Sequence, residues 1–158
     1  MRKTIIISLD ALGSSDREVF EGLEGFKYLI ENGAYVKNLR SVYPSLTYPC
    51  HASIVTGRYP CDHGVVNNLH LQPSLDKKDW YWYEKDIEGD TIFRAAKRKG
   101  LRLGAVLWPV TASGNFDCLI PEILPHGPIK SQALAVLASR SPLKIIEMEK
   151  KYGARRKG

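Results

Sequence analysis

The chain has 158 residues, 44% of them hydrophobic and 25% charged, an ordinary globular balance that excludes intrinsic disorder and suffices for one domain with its own core. Its net charge of +6 suits phosphate-bearing substrates, but much of the excess lies on expected helix faces and in the Lys150, Lys151, Arg155, Arg156, Lys157 tail, so specific nucleic-acid binding is not expected. Cys50, Cys61 and Cys118 lack Cys-x-x-Cys spacing, which excludes a disulfide framework or a cysteine zinc site, and no apolar stretch is long enough to span a bilayer; the expectation is a cytoplasmic protein with free thiols and no membrane partner.

Arg2-Lys3 followed by Ile5-Ile6-Ile7 superficially resembles a signal peptide, but Asp10 interrupts the apolar run and no cleavage pattern follows. Thr4 to Leu9 is instead a β-branched run that predicts a buried parallel strand, with Asp10 at its carboxyl end, where ligands of open α/β sheets collect. Ser14-Ser15-Asp16 predicts a cap for a helix reaching about Asn32, ended by a left-handed Gly33. Ala34 to Val42 alternates enough for a second strand.

Next comes Tyr43-Pro44-Ser45-Leu46-Thr47-Tyr48-Pro49-Cys50-His51-Ala52-Ser53-Ile54-Val55-Thr56-Gly57. Pro49 is pre-set for the first turn of a helix, and Thr47 just ahead of it falls at the N-terminus, where unpaired N–H groups and the helix dipole favour an anion. Gly57 predicts the helix end, and Pro60 to Asn68 a loop returning toward the same place. Taken singly, Thr47 reads as a cap, Asp10 and Asn68 as turn residues and Tyr48 as a core aromatic.

Leu69 to Glu88 carries Trp80, Tyr81, Trp82 and Tyr83; a substrate-stacking surface or a rim over the site is one reading, and a hairpin or extended flap packed on sequence outside this chain is the favoured one. Asp90 is the expected cap of a helix from Thr91 to Lys99, stopped by Gly100. Arg102 to Trp108 predicts a strand ended by Pro109, with Thr111, Ser113 and Asn115 beyond its carboxyl end. Phe116 to Pro128 is expected to be irregular, Lys130 to Ala138 helical, and Ser141 a cap for a helix from Pro142 to about Lys151. Leu143, Ile145, Ile146 and Met148 cover so much of that last helix that it expects a partner, either absent sequence or a second copy. The order of elements is that of an α/β fold: a partial doubly wound, mainly parallel sheet flanked by helices, in one domain over 1–158 with no linker.

The motifs join into a longer pattern. A strand-end Asp10, then Thr47-Tyr48-Pro49-Cys50-His51, then Thr56-Gly57-Arg58-Tyr59-Pro60 leading to His63-Gly64 and Asn68, resembles the type I phosphodiesterase and nucleotide pyrophosphatase family of the alkaline phosphatase superfamily. By that resemblance the fold is an alkaline phosphatase-like core. Thr47 is the metal-activated nucleophile, Asp10 ligates the same metal, and Asn68 hydrogen-bonds a phosphoryl oxygen. Tyr48 lends its N–H to the phosphoryl group, and in nucleotide-cleaving members its ring can pack on the base. The implied cofactors are two divalent metal ions, zinc in the family, held by three Asp and three His besides the nucleophile. The implied substrate is a phosphodiester or nucleotide.

Most of those ligands belong to the later half of a longer family chain. After Asn68 this sequence has only His70 and His126 and no Asp-x-x-x-His pair, and Asp62-His63 aligns with an earlier structural histidine of the family rather than with its metal-binding Asp-His. The expectation is therefore the N-terminal part of a larger catalytic domain, with an incomplete metal site and no activity alone, whose partner is the C-terminal remainder. Two alternatives stand beside it: a phosphonate hydrolase or phosphoethanolamine transferase of the same superfamily, or a non-catalytic binding or assembly module. A sulfatase does not fit, because Cys50-His51-Ala52-Ser53-Ile54 lacks the Cys-x-Pro-x-Arg-like context.

Overall fold

The computed structural model describes residues 3–124 and 142–153 and divides into two compact units, Met1–Ser41 and Val42–Gly158. Together they give a mixed α/β chain.

In the first unit the expected strand at Thr4 to Leu9 is absent. Residues 3–10 are irregular and exposed up to a turn at Asp10, with Ile5 82% and Ile7 76% accessible. A strand needs a neighbouring strand for its backbone donors and acceptors, and among the described residues no strand forms a ladder with this run, so β-branched preference alone leaves it irregular. The same holds for Ala34 to Val42, which is irregular. The expected helix from Ser14 to Asn32 is broken into a 3-10 turn, Ser14–Asp16, then α1, Arg17–Glu21, and α2, Glu24–Asn32. The break falls at Gly22-Leu23, where glycine is a poor helix former and Leu23 turns extended as the N-cap of α2. At the start, the Gly13 N–H donates to the Asp16 carboxylate at 2.8 Å. Gly33 ends α2 in an extended conformation, φ −129°, not the left-handed one expected.

In the second unit, α3, Thr47–Thr56, closes as its residues dictate: Gly57 takes φ +66° and its N–H returns to the Ser53 carbonyl at 2.8 Å. Tyr48, Ala52 and Val55 recur at helical spacing, so they share one face and are all buried. The segment expected as a plain loop begins with a helical turn, α4, Pro60–His63, for which proline at the first position and left-handed Gly64 (φ +79°) supply both ends. The core packs that face of α3 against Val65, Trp82, Ile87, Val110, Ala112 and Ile123.

The aromatic segment forms a hairpin-like clasp, with Leu69 bridging antiparallel to Trp80. It does not wait for outside sequence: Trp82 is buried, and Trp80, Tyr81 and Tyr83 pack on this unit's own core. The rings of Tyr48 and Trp80 lie 5.4 Å apart, and those of Trp80 and Trp82 stack at 5.5 Å. A second 3-10 turn, Glu84–Asp86, leads to α5, Ile92–Arg98. Thr91, not Asp90, caps α5: its Oγ1 accepts the Arg94 N–H at 3.1 Å, while the Asp90 carboxylate is taken by Arg98. The Arg94 guanidinium holds the preceding segment, donating to the Glu84 side chain at 2.7 Å and carbonyl at 3.0 Å, and to the carbonyls of Ile87 and Gly89.

Among the described residues there is one sheet. β1, Gly104–Val106, lies inside the run expected as a strand and pairs in parallel with β2, Cys118–Ile120, in the register Ala105 to Leu119. β2 falls in the segment expected to be irregular, because three residues before Pro121 are too few to show a period. After the first strand, Thr111 is buried and its hydroxyl donates to the Trp108 carbonyl at 2.6 Å, a turn-closing role. The last described helix, α6, Pro142–Tyr152, begins at its proline as expected and packs against β2; Leu143, Ile146 and Met148 are exposed on it. The expected helix Lys130 to Ala138 and the Ser141 cap lie outside the described residues.

Candidate functional site

Thr47 is the first residue of α3, after Leu46 at the N-cap. Leucine has no side-chain oxygen to cap the N–H groups of the first turn, and Pro49 contributes no N–H of its own. One of those N–H groups is answered from elsewhere in the chain. The Tyr48 N–H donates to Oδ1 of Asn68 at 3.0 Å, across twenty residues. A backbone N–H can only donate, so this bond fixes the amide orientation: Oδ1 faces the helix, and Nδ2 is the donating end. Asn68 is itself held, its N–H by Asn67 Oδ1 at 2.7 Å and its carbonyl by the Tyr81 N–H at 3.1 Å.

The first turn is pinned from below as well. Nδ1 of His51 lies 2.7 Å from the Thr47 carbonyl, and the His51 ring meets Trp108 edge to face at 5.1 Å. Sequence reasoning passed over His51, although its place four residues after Thr47 on one helix face is visible in the spacing. Tyr48 is fully buried, so its ring belongs to the core rather than to a surface a base could stack on. Burial, reinforced by the nearby Glu122 carboxylate, pushes its hydroxyl well above the ordinary tyrosine range.

Of the expected site residues, Thr47, Tyr48 and Asn68 lie in the second unit and gather at the start of α3. Asp10 sits in the first unit, exposed at a turn. Asp10 and Thr47 are hard oxygen donors suited to a divalent ion, but two fall short of the three protein ligands of a catalytic zinc site. Among the described residues no group of three or more His, Cys, Asp or Glu side chains could hold a metal ion. The described residues therefore do not by themselves make up a zinc site. His63 is buried inside the second unit, with Nε2 2.9 Å from Ser53 Oγ. All three cysteines are outside disulfides, and among the described residues no helix is long and apolar enough to cross a membrane.

Residues 4–131, which contain the whole of this helix start and the loop returning to it, match the type I phosphodiesterase / nucleotide pyrophosphatase family. The chain belongs to that family of hydrolases. It is 35% identical over 147 residues to human ectonucleotide pyrophosphatase/phosphodiesterase family member 1, covering 85% of this chain and 16% of that protein. It is 33% identical over 99 residues to family member 3 of Mus musculus, covering 55% and 11%. An uncharacterized pyrophosphatase/phosphodiesterase of Schizosaccharomyces pombe is 33% identical over 116 residues, covering 66% and 23%. The chain thus spans less than a quarter of the length of these curated relatives.

Proposed function

We propose that this chain is the N-terminal part of a metal-dependent hydrolase of phosphodiester or pyrophosphate bonds, in which Thr47 is the nucleophile and Asn68 a phosphoryl-binding donor. The observation that carries the proposal is the Tyr48 N–H to Asn68 Oδ1 bond, which draws the two family segments to one helix start and leaves the Asn68 Nδ2 group as the donor. An alcohol is a weak nucleophile and attacks as its alkoxide. Thr47 opens a ten-residue helix, so the positive end of the helix dipole favours both that alkoxide and the anionic phosphoryl group it meets.

In-line attack by the Thr47 alkoxide breaks one P–O bond, expelling one alcohol or phosphate leaving group and leaving the phosphoryl group on Thr47 with its other ester intact; water then breaks the Thr47 O–P bond and releases the phosphomonoester. The Asn68 amide supplies hydrogen bonds to a non-bridging oxygen as charge builds there. Tyr48 contributes through its backbone N–H, which Asn68 holds when no substrate competes. The same proposal includes two divalent ions, zinc by the family resemblance. Asp10 and Thr47 are this chain's share of the ligands, the rest come from the remainder of an alkaline phosphatase-like, doubly wound catalytic domain, and the isolated chain is inactive. The cytoplasmic location is part of the same proposal and rests on the cysteine spacing of the sequence; the animal relatives carry "ecto" in their names, and appearance of the full-length protein in the medium would remove it.

In a longer protein containing this chain, Thr47→Ala is expected to abolish turnover of a nitrophenyl nucleotide with the fold retained, since Thr47 is the first helical residue and not the N-cap, and alanine is the better helix former. Wild-type-like turnover by that variant would end the assignment. Asn68→Ala is expected to lower kcat by about 10²–10³-fold, and unchanged kinetics on a diester would return Asn68 to a purely structural role. Faster turnover of a simple phosphonate than of the nucleotide would move the substrate to the phosphonate class.

A further inference from the structure

His63 is not used by the chemistry above, and its surroundings define its state. Its ring is fully buried. The Val65 N–H lies 3.2 Å from Nδ1 and can only donate, so Nδ1 carries no proton. In the neutral imidazole the proton is then on Nε2, which donates to Ser53 Oγ at 2.9 Å. Ser53 and His63 resemble a nucleophile and its base but are not one, because the lone pair a base would offer is already an N–H bond. Three segments meet at this residue: Ser53 on α3, Val65 at the head of the loop to Asn68, and Glu88, whose N–H donates to the His63 carbonyl at 3.0 Å.

We propose that neutral, Nε2-protonated His63 is a positioning residue: by tying the 64–68 loop to α3 through Ser53 and Val65, it sets the Asn68 amide against the Tyr48 N–H. Its value to phosphoryl binding rests on the role proposed for Asn68; the tie itself does not. The loop is short, and left-handed Gly64 turns it directly beneath the Glu88 side chain, so a displaced Val65 carries Asn68 with it. Protonation would add a hydrogen at Nδ1 and set it against the Val65 N–H, donor facing donor. Burial opposes that and holds the ring below the ordinary histidine range, against the pull of the neighbouring Asp62 carboxylate. The Glu88 carboxylate lies over Gly64, and the Arg58 guanidinium lies against the adjacent Gly89.

The test is made on the 158-residue chain by NMR of the ring nitrogens and by hydrogen exchange of the Tyr48 amide. At pH 7 His63 is expected to be neutral with the proton on Nε2. Ser53→Ala, which removes one anchor and little else, and His63→Ala are each expected to speed Tyr48 exchange, by about tenfold for the second. His63→Gln, whose amide can still donate to Ser53, is expected to recover part of the protection. An Nδ1-protonated ring, or Tyr48 exchange unchanged in both alanine variants, would overturn the proposal. Turnover retained by Thr47→Ala would sink the nucleophile and leave these exchange results standing, so the two failures are distinguishable.

Discussion

The run Thr4 to Leu9 and the helix Thr47 to Thr56 carry comparably strong local signals, yet one is an open, exposed segment and the other is the spine of the core. A helix closes its backbone hydrogen bonds within itself and needs only a face to bury, whereas a strand is nothing without a neighbour. Throughout Val42–Gly158 the apolar partners of α3 lie in the same unit, and Trp82, Val65 and Ile123 reach it. In the helices of Met1–Ser41 not one residue is buried. The difference is that α3 meets apolar partners within its own unit, whereas Thr4 to Leu9 is in no β-ladder among the described residues.

The sharpest contrast comes from truncating an apolar side chain in each unit. Trp82→Ala removes a ring that packs on Tyr48 and Trp80 and is expected to cost about 3–5 kcal/mol in denaturant unfolding. A loss under about 1 kcal/mol would mean that the aromatic clasp is not part of the core. Acid comes next. Burial lowers the His63 pKa below its usual 6.5, so below that pH the unfolded chain takes up the proton first and stability falls as pH drops toward the lower folded value, while above 6.5 this group contributes no slope. Unfolding midpoints at pH 8, 6.5 and 5 are expected to decline only across the acid half of that range, less steeply in His63→Gln; a midpoint rising as pH falls would contradict the neutral, buried ring. Asp117, held below the usual carboxylate range by the Leu103 N–H and Lys97, adds stability that disappears only below about pH 3.8, so the two acid effects are separable. The smallest effect is Ile7→Ala, expected to stay within about 0.5 kcal/mol because the side chain is already in water.

What the sequence disclosed follows the same division. The bounds of α3 were legible from Pro49 and Gly57, the strand at Gly104–Val106 from its apolar run, and the start of α6 from Pro142, each a signal carried by the residues of the element itself. The Asn68 to Tyr48 bond was not legible as a contact, because twenty residues that include most of α3 and all of α4 separate the pair; the expected return of the loop brought Asn68 toward the helix start, and the family resemblance gave both residues a role there. Nor was the core role of the tryptophan clasp, since four consecutive aromatics between two charged runs show no period that separates a buried face from an exposed one. The cap of α5 was misassigned by one residue because Asp90 and Thr91 are both good caps, and the competition was decided by Arg98, which engages the aspartate.

The hydroxyl of Thr47 as attacking group is most directly tested by acid-quenching a longer, active protein during turnover of a nitrophenyl nucleotide and locating the covalent phosphoryl adduct by peptide mass spectrometry. The adduct is expected on the peptide containing Thr47 and absent from Thr47→Ala. An adduct on any other side chain would contradict it.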